Sequence, residues 1–281
     1  MHRPSYSAVF ATFLRNSLIR EMTFRANFLI ECLSSVTWTL MNLGFYLLIF
    51  HHTDQFGGGW GKWEFFVFLS TTMIVNSVVQ AFFMPNCEEV SELIRTGGLD
   101  FALLKPIDTQ FLISLQKVDW SALANFAAGL ILLTVSLVQL HTRGENPLPI
   151  TAATLLLYPL FVVCGIGIMY ALMISLSSTS IWLGRNQSLY DFWFYITNFS
   201  RYPMEIYEGP VGGVLRFAFT FIIPVLVVVN VPARLLARPL YPQSAFDWGL
   251  AGFTLLATAA ALLLSRWLFL TALSRYRSAS S

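Results

Sequence analysis

The chain has 281 residues, of which 56% are hydrophobic and only 11% charged, with a formal net charge of +2. Soluble domains carry about 25% charged residues, so the composition excludes a soluble enzyme of this length and leaves one all-α integral membrane domain spanning residues 1–281. The small, scattered positive charge gives no footing for nucleic acid as a partner.

The first 25 residues mix Arg3, Arg15, Arg20 and Arg25 with apolar residues and lack the short oily core and small-residue cleavage site of a signal peptide. Val9, Phe10, Phe13, Leu14, Ser17 and Leu18 form a helical stripe, which predicts an amphipathic interface helix lying in the plane of the membrane.

A crossing needs about 20 apolar residues for a core of roughly 30 Å. Six segments meet or approach that: Ala26 to Phe50, Phe65 to Met84, Ser121 to Leu140, Thr151 to Leu183, Phe217 to Ala233 and Trp248 to Leu273. They give a six-span bundle over 26–281. The fourth is too long for one crossing and must tilt, kink at Pro159 or emerge beyond the bilayer, while Gly165 and Gly167 would let a neighbouring helix approach closely. With the N-terminus inside, 13 of the 17 Lys and Arg residues fall on the inner side, the other four being Lys62, Arg143, Arg234 and Arg238. The positive-inside rule then places both termini in the cytoplasm.

Two aromatic or proline-rich stretches are not read as crossings. Leu189 to Tyr207, "LYDFWFYITNFSRYPMEIY", has a charge-free core of only Phe192 to Ser200 and is expected at the inner interface. Asn230 to Pro242, "NVPARLLARPLYP", has the prolines of a re-entrant segment before the last span, on the outer side.

Catalytic and metal chemistry leave little trace. There is no GxxxxGK[ST], HExxH or GxSxG, so the chain is not expected to be an enzyme or to bind a cofactor. Cys32, Cys87 and Cys164 lie too far apart for a zinc or disulfide pattern, and His51-His52-Thr53-Asp54 reads as a solvated loop end. Glu31, the only acid inside a span, is expected to pair with Arg25 or a neighbouring arginine.

The polar stretch between the second and third spans is different. Asn86 is a good N-cap, with Glu88 and Glu89 in the first turn; Val90, Leu93 and Ile94 share one face, and Gly97-Gly98 supply a left-handed stop. Leu99 to Leu104 make a second short helix, with Leu99 and Leu103 paired and Pro106 closing it. Two such short helices over 86–108 bury too little to stand alone, and the residues leave open whether they dock on the bilayer surface or on another protein.

"IRTGGLDFALLKP" (Ile94 to Pro106), "FSRYPMEIY" (Phe199 to Tyr207) and "FIIPVLVVVNVPARLLA" (Phe221 to Ala237), in that order on a six-span plan with an amphipathic N-terminal helix, resemble the ABC-2 type exporter permeases. The resemblance implies the transmembrane subunit of an ATP-binding cassette exporter in a bacterial-type plasma (inner) membrane, associated with a second permease subunit, a copy or a sister. Two separately encoded ATPase subunits would bind the ATP and Mg. It further implies that the stretch over 86–108 is the coupling helix that seats in the ATPase, with Glu89, Leu93, Gly98, Leu99, Asp100, Leu103 and Pro106 carrying that role. Arg201, Tyr202 and Pro203 carry the family's aromatic motif.

Spans nearly free of charged groups and rich in Phe and Trp suit a lipid-like or drug-like substrate. Asn42, Asn76, Gln80 and Asn230 are the polar groups available to a substrate path between the first, second and fifth spans. Two rival readings are a membrane-embedded lipid-modifying enzyme, which needs a convergent acid or histidine set, and a non-transporting scaffold for an ATPase.

Overall fold

The computed structural model describes residues 5–143, 152–183, 188–237 and 245–276. Twelve helices and one small hairpin occur among them: α1 (Tyr6–Thr23), α2 (Arg25–His52), β1 (Gln55–Phe56), β2 (Trp60–Gly61), α3 (Lys62–Phe82), α4 (Met84–Arg95), α5 (Gly98–Leu103), α6 (Thr109–Leu115), α7 (Leu123–Arg143), α8 (Ala152–Leu183), α9 (Ser188–Asn198), α10 (Gly209–Phe217), α11 (Leu226–Ala237) and α12 (Ala245–Ser274). With β1 and β2 pairing only Gln55 with Gly61 and Phe56 with Trp60, the described fold is an all-α membrane bundle.

Five helices are long and apolar enough to cross a bilayer: α2, the joined α3–α4, α7, α8 and α12. Their directions follow from side-chain contacts at the two ends of the bundle. At one end, Lys117 N–H donates to Asn86 Oδ1, Ser91 Oγ donates to Ser180 Oγ, and Arg266 donates to Asp108. At the other, the β1–β2 hairpin packs over Tyr46, Phe50 and Phe65. α8 therefore ends at the α4–α6 end, whereas α12 starts at the hairpin end, and the chain must cross once more between them.

The segment expected as the fifth span does not make that crossing. Gly209–Ile222, whose last turn is a π-helix at Ala218–Ile222, meets α11 at a 91° bend. Both ends of this pair lie at the hairpin end: Gly209 follows Glu205, which bonds Trp60, and α11 carries Arg234 to the same Glu205. It is a re-entrant pair, and Pro224, which lacks an N–H, stands at its break. The crossing is instead made by α9 and the 3-10 turn at Phe199–Arg201, the aromatic stretch expected at the inner interface. Its charge-free core is too short for a full crossing, as the length rule says, but Pro203 and Met204, both buried, continue it in extended and 3-10 form. Irregular backbone is tolerated at membrane depth when protein covers it. The re-entrant element expected over Asn230 to Pro242 thus begins at Gly209, and its proline-rich tail at 238–242 lies outside the described residues.

The core is made by α3, α8 and α11. Every residue of α11 except Arg234 is buried, with Pro232 accommodated inside the helix. Gly165 makes this possible: a Cβ there would stand 2.6 Å from the Val228 carbonyl oxygen, so α8 and α11 approach backbone to backbone. Gly167 serves α12 in the same way, its missing Cβ lying 3.2 Å from Thr258 Cγ2. α8 runs through Pro159 unbroken and emerges beyond the bundle beside α4, where Ser177 Oγ donates to the Cys87 carbonyl.

α1 does not present the expected stripe to lipid. Phe10 packs near Phe82, Phe13 near Phe111, and Ser17 Oγ accepts from Val118 N–H, so this face docks on the protein itself. Glu31 accepts from Asn27 Nδ2 at 2.6 Å, while Arg25 Nε turns back to the Met22 carbonyl; the expected Glu31–Arg25 pair is not formed, because Asn27 lies one turn away on the same face.

Candidate functional site: the elbow at the end of the bundle

Two short helices around a glycine elbow are present, divided at Gly97 as the Gly97-Gly98 pair foretells. Gly97 holds φ +72°, a conformation costly for residues with a Cβ, and stops α4 while opening α5. Gly98 follows because a Cβ there would press on Leu93 Cδ2 at 3.0 Å. Asn86 is not the N-cap: Phe83 keeps helical angles, so α3 runs almost without a break into α4. Pro85 sits in the first turn, where its missing N–H has no partner to lose. Asn86 instead clamps the connection to α7, with Nδ2 donating to the Phe82 and Lys117 carbonyls and Oδ1 accepting from Lys117 N–H.

The outward face of the elbow differs from the one the leucine spacing suggests. Val90 and Leu99 are buried and Leu93 is half-buried against the bundle; Leu99 keeps only 1% of its surface. The residues turned out are Phe101, 71% exposed, and Leu104, 81% exposed, joined by the half-exposed Leu103 and by Lys105 and Pro106. In a six-residue helix, Leu99 and Ala102 share the inward side one turn apart, which leaves Phe101 and Leu104 facing away. Asp100 stands in the first turn of α5, and its carbonyl accepts from Leu104 N–H. Glu92 and Arg95 flank the face as an exposed pair at 2.5 Å, and Glu89 pairs with Lys117 rather than pointing away.

Behind the elbow lies a polar network that sequence reading misses. Asp108 caps α6 by accepting from Phe111 N–H at 3.0 Å and receives both guanidinium nitrogens of Arg266, at 3.1 and 2.5 Å. Arg266 Nη1 also donates to Gln110 Oε1 at 2.9 Å, and Gln110 Nε2 donates to Tyr170 Oη at 2.9 Å. Burial alone would push the Asp108 carboxyl up; the Arg266 hydrogen bond and charge, with the Phe111 N–H, outweigh it and hold the group below the usual carboxylate range. α5 is thereby linked through five residues to α8 and α12. The Pro106-x-Asp108 spacing before Thr109 is the one sequence signal of this cap; the partner in α12 is 158 residues away and leaves none.

Arg201, Tyr202 and Pro203 lie at the opposite end. The Arg201 guanidinium sits 5.5 Å from the Phe194 ring, Tyr202 is near Tyr46, and Pro203 is buried beneath Gly57. The next residues make the tightest polar contact of that end: Glu205, ion-paired with Arg234, also accepts from Trp60 Nε1 at 3.1 Å. The pathway candidates do not converge. Asn230 is fully buried, its Oδ1 accepting from Met204 N–H and its Nδ2 donating to the Leu226 carbonyl, so it holds α11 to the aromatic segment. Asn42 donates to the Trp38 carbonyl in its own helix, and Asn76 and Gln80 are half-buried one turn apart on α3. No group of three or more metal-ligating side chains occurs among the described residues.

Searches of curated proteins and of solved structures return no match. The family model described as ABC-2 family transporter protein matches residues 36–280, which takes in the chain from within α2 through the elbow, the re-entrant pair and α12, and the chain belongs to that family of multi-pass membrane transport proteins.

Proposed function

We propose that this chain is the permease subunit of an ATP-driven exporter for a lipid-like or drug-like molecule, and that it receives its driving force at the α4–α5 elbow. The observation that carries this is the pair Phe101 and Leu104, large apolar side chains held out at the end of a membrane bundle beside the left-handed turn at Gly97. Exposed apolar residues on a structured protrusion favour a protein groove, where a few such anchors supply most of the affinity. The partner is a separate ABC ATPase, two copies per pair of permease subunits, which holds ATP and Mg. The second permease is a copy or a sister subunit.

Closure of the ATPase would displace α5 as a body, because Gly97 separates it from α4 and Leu99 is buried against the bundle. Asp108 would then draw on Arg266 of α12, and Gln110 on Tyr170 of α8, so that the two long helices holding α11 move together. Asn76 and Gln80 remain the polar groups for a substrate to meet on α3. The elbow is assigned to the cytoplasm, with both termini. Moving Arg201 and Arg216 to the outer side changes the Lys and Arg count from 13 against 4 to 11 against 6, which keeps the same sense.

The test is inverted membrane vesicles containing this chain and its ATPase. A fluorescent lipophilic amine is expected to accumulate on addition of ATP, and not when the ATPase carries a substituted P-loop lysine. Accumulation that is equal in the two would contradict the proposal.

A further inference from the structure

α1 has two apolar faces, and only one of them is used by the protein. Tyr6, Phe10, Phe13, Ser17 and Glu21 recur at helical spacing and contact residues 82–120. At about 100° per residue, Arg15, Leu18, Ile19 and Met22 fall on the opposite side. They are uncovered, with Leu18, Ile19 and Met22 at 39%, 53% and 37% exposure. The face continues into a shallow, open groove lined by Leu18, Ile19, Met22, Thr23 and Arg25. The bond from Arg25 Nε to the Met22 carbonyl, at 3.2 Å, fixes the guanidinium at the rim and leaves its two terminal nitrogens to another acceptor.

Charge and position decide what fills this groove. Among the described residues, no carboxylate lies within ion-pair distance of Arg15, Arg20 or Arg25. The nearest acids by sequence are engaged elsewhere: Glu21 turns to Trp120 N–H on the docked face, and Glu31 accepts from Asn27. Arg25 is also the first residue of the first crossing, so its guanidinium stands where the hydrocarbon core gives way to headgroups.

We propose that the groove is a binding site for one anionic phospholipid, with its phosphate on Arg25 and an acyl chain along Leu18, Ile19 and Met22. A planar fork of N–H donors fits two phosphate oxygens at once, and Arg15 on the same face favours a headgroup of net negative charge over a zwitterionic one. The site rests on the crossing by α2 and is independent of the proposed transport activity.

Native mass spectrometry of the detergent-purified chain, titrated with dioleoyl phosphatidylglycerol or dioleoyl phosphatidylcholine, tests it. The expected result is one phosphatidylglycerol retained in preference to phosphatidylcholine, weakened roughly tenfold or more by Arg25→Gln, as loss of a charge-assisted hydrogen-bond pair should give. Arg95→Gln makes the same change in net charge at the elbow and is expected to leave retention as it was. A large excess of glycerol 3-phosphate should not displace the lipid, since it lacks the acyl chain. If Arg25→Gln cannot be recovered folded, Ile19→Ser with all arginines intact must weaken phosphatidylglycerol retention. Equal retention of the two lipids, equal effects of Arg25→Gln and Arg95→Gln, displacement by glycerol 3-phosphate, or no effect of Ile19→Ser would each overturn the assignment.

Discussion

Replacing Arg234 by Met should unsettle the hairpin end of the bundle more than any other single change there. Glu205 and Arg234 have side-chain exposures of only 13% and 16%, and Glu205 is held from a second direction by Trp60 Nε1. The pair also fixes three elements: the β1–β2 hairpin, the turn after α9 and the re-entrant α11. Removing the cation leaves the Glu205 carboxylate desolvated, with the Trp60 N–H still donating to it. Stranding one member of a buried ion pair costs about 3–5 kcal/mol. At roughly 2–4 °C per kcal/mol for a chain of this size, Tm should fall by about 6–20 °C. Glu205→Gln keeps the acceptor for Trp60 but takes the carboxylate charge away from Arg234. The double variant Arg234→Met, Glu205→Gln removes both charges and should therefore be more stable than Arg234→Met alone. Thermal unfolding in lipid nanodiscs, followed by tryptophan fluorescence, reads all four proteins. A drop below about 2 °C for Arg234→Met, or a double variant at the sum of the two single losses, would refute the reasoning.

Glu21→Gln should stabilise the docking of α1. The Glu21 carboxyl is pushed above its ordinary range, first by burial and further by the nearby Asp119 and Glu31 charges, against the opposing Trp120 N–H and Arg20. A raised carboxyl favours the fold below its unfolded value and loses that contribution as pH rises through the folded value. The variant should therefore unfold later than the parent at pH 7 and equally at about pH 4, by well under about 1 kcal/mol because solvent screens the group. Gly165→Ala drives a Cβ to 2.6 Å from the Val228 carbonyl and should cost about 1–3 kcal/mol, whereas Gly213→Ala meets nothing within 4 Å and should be neutral or mildly stabilising. For sidedness, in a Cys32→Ser background a cysteine at Asp54 should react with an impermeant maleimide from outside the cell and one at Lys105 should not; the reverse pattern would invert the topology.

Much of this fold is legible in the sequence because lipid imposes one simple rule, that long apolar runs become helices. The elbow is legible for another local reason, since Gly97 needs no distant residue to set its conformation. What local reading loses is anything decided by distant contacts. Length and composition favour Phe217 to Ala233 as a crossing, yet Glu205, Arg234 and Trp60 bring both ends of that region to one side. The aromatic stretch at α9 looks too short to cross because its extended continuation is covered by partners far away in the chain. The stripe on α1 is apolar enough for lipid, but Phe82, Phe111 and Val118 occupy it first. On the elbow, leucine spacing singles out Leu99 and Leu103, and only the packing of α5 against the bundle shows that Phe101 and Leu104 are the residues left facing out.

The central claim is that Phe101 and Leu104 seat the ATPase. Its most direct measurement is recovery of the ATPase with an affinity-tagged permease carrying Phe101→Asp and Leu104→Asp, beside the parent and Leu99→Asp. Two exposed anchors of this kind are worth about 2 kcal/mol or more each at an interface. The double variant is therefore expected to insert and unfold like the parent while losing at least about tenfold of the bound ATPase. Leu99→Asp, with its side chain sealed against the bundle, should lower Tm first. Undiminished ATPase on the Phe101→Asp, Leu104→Asp protein would contradict the account.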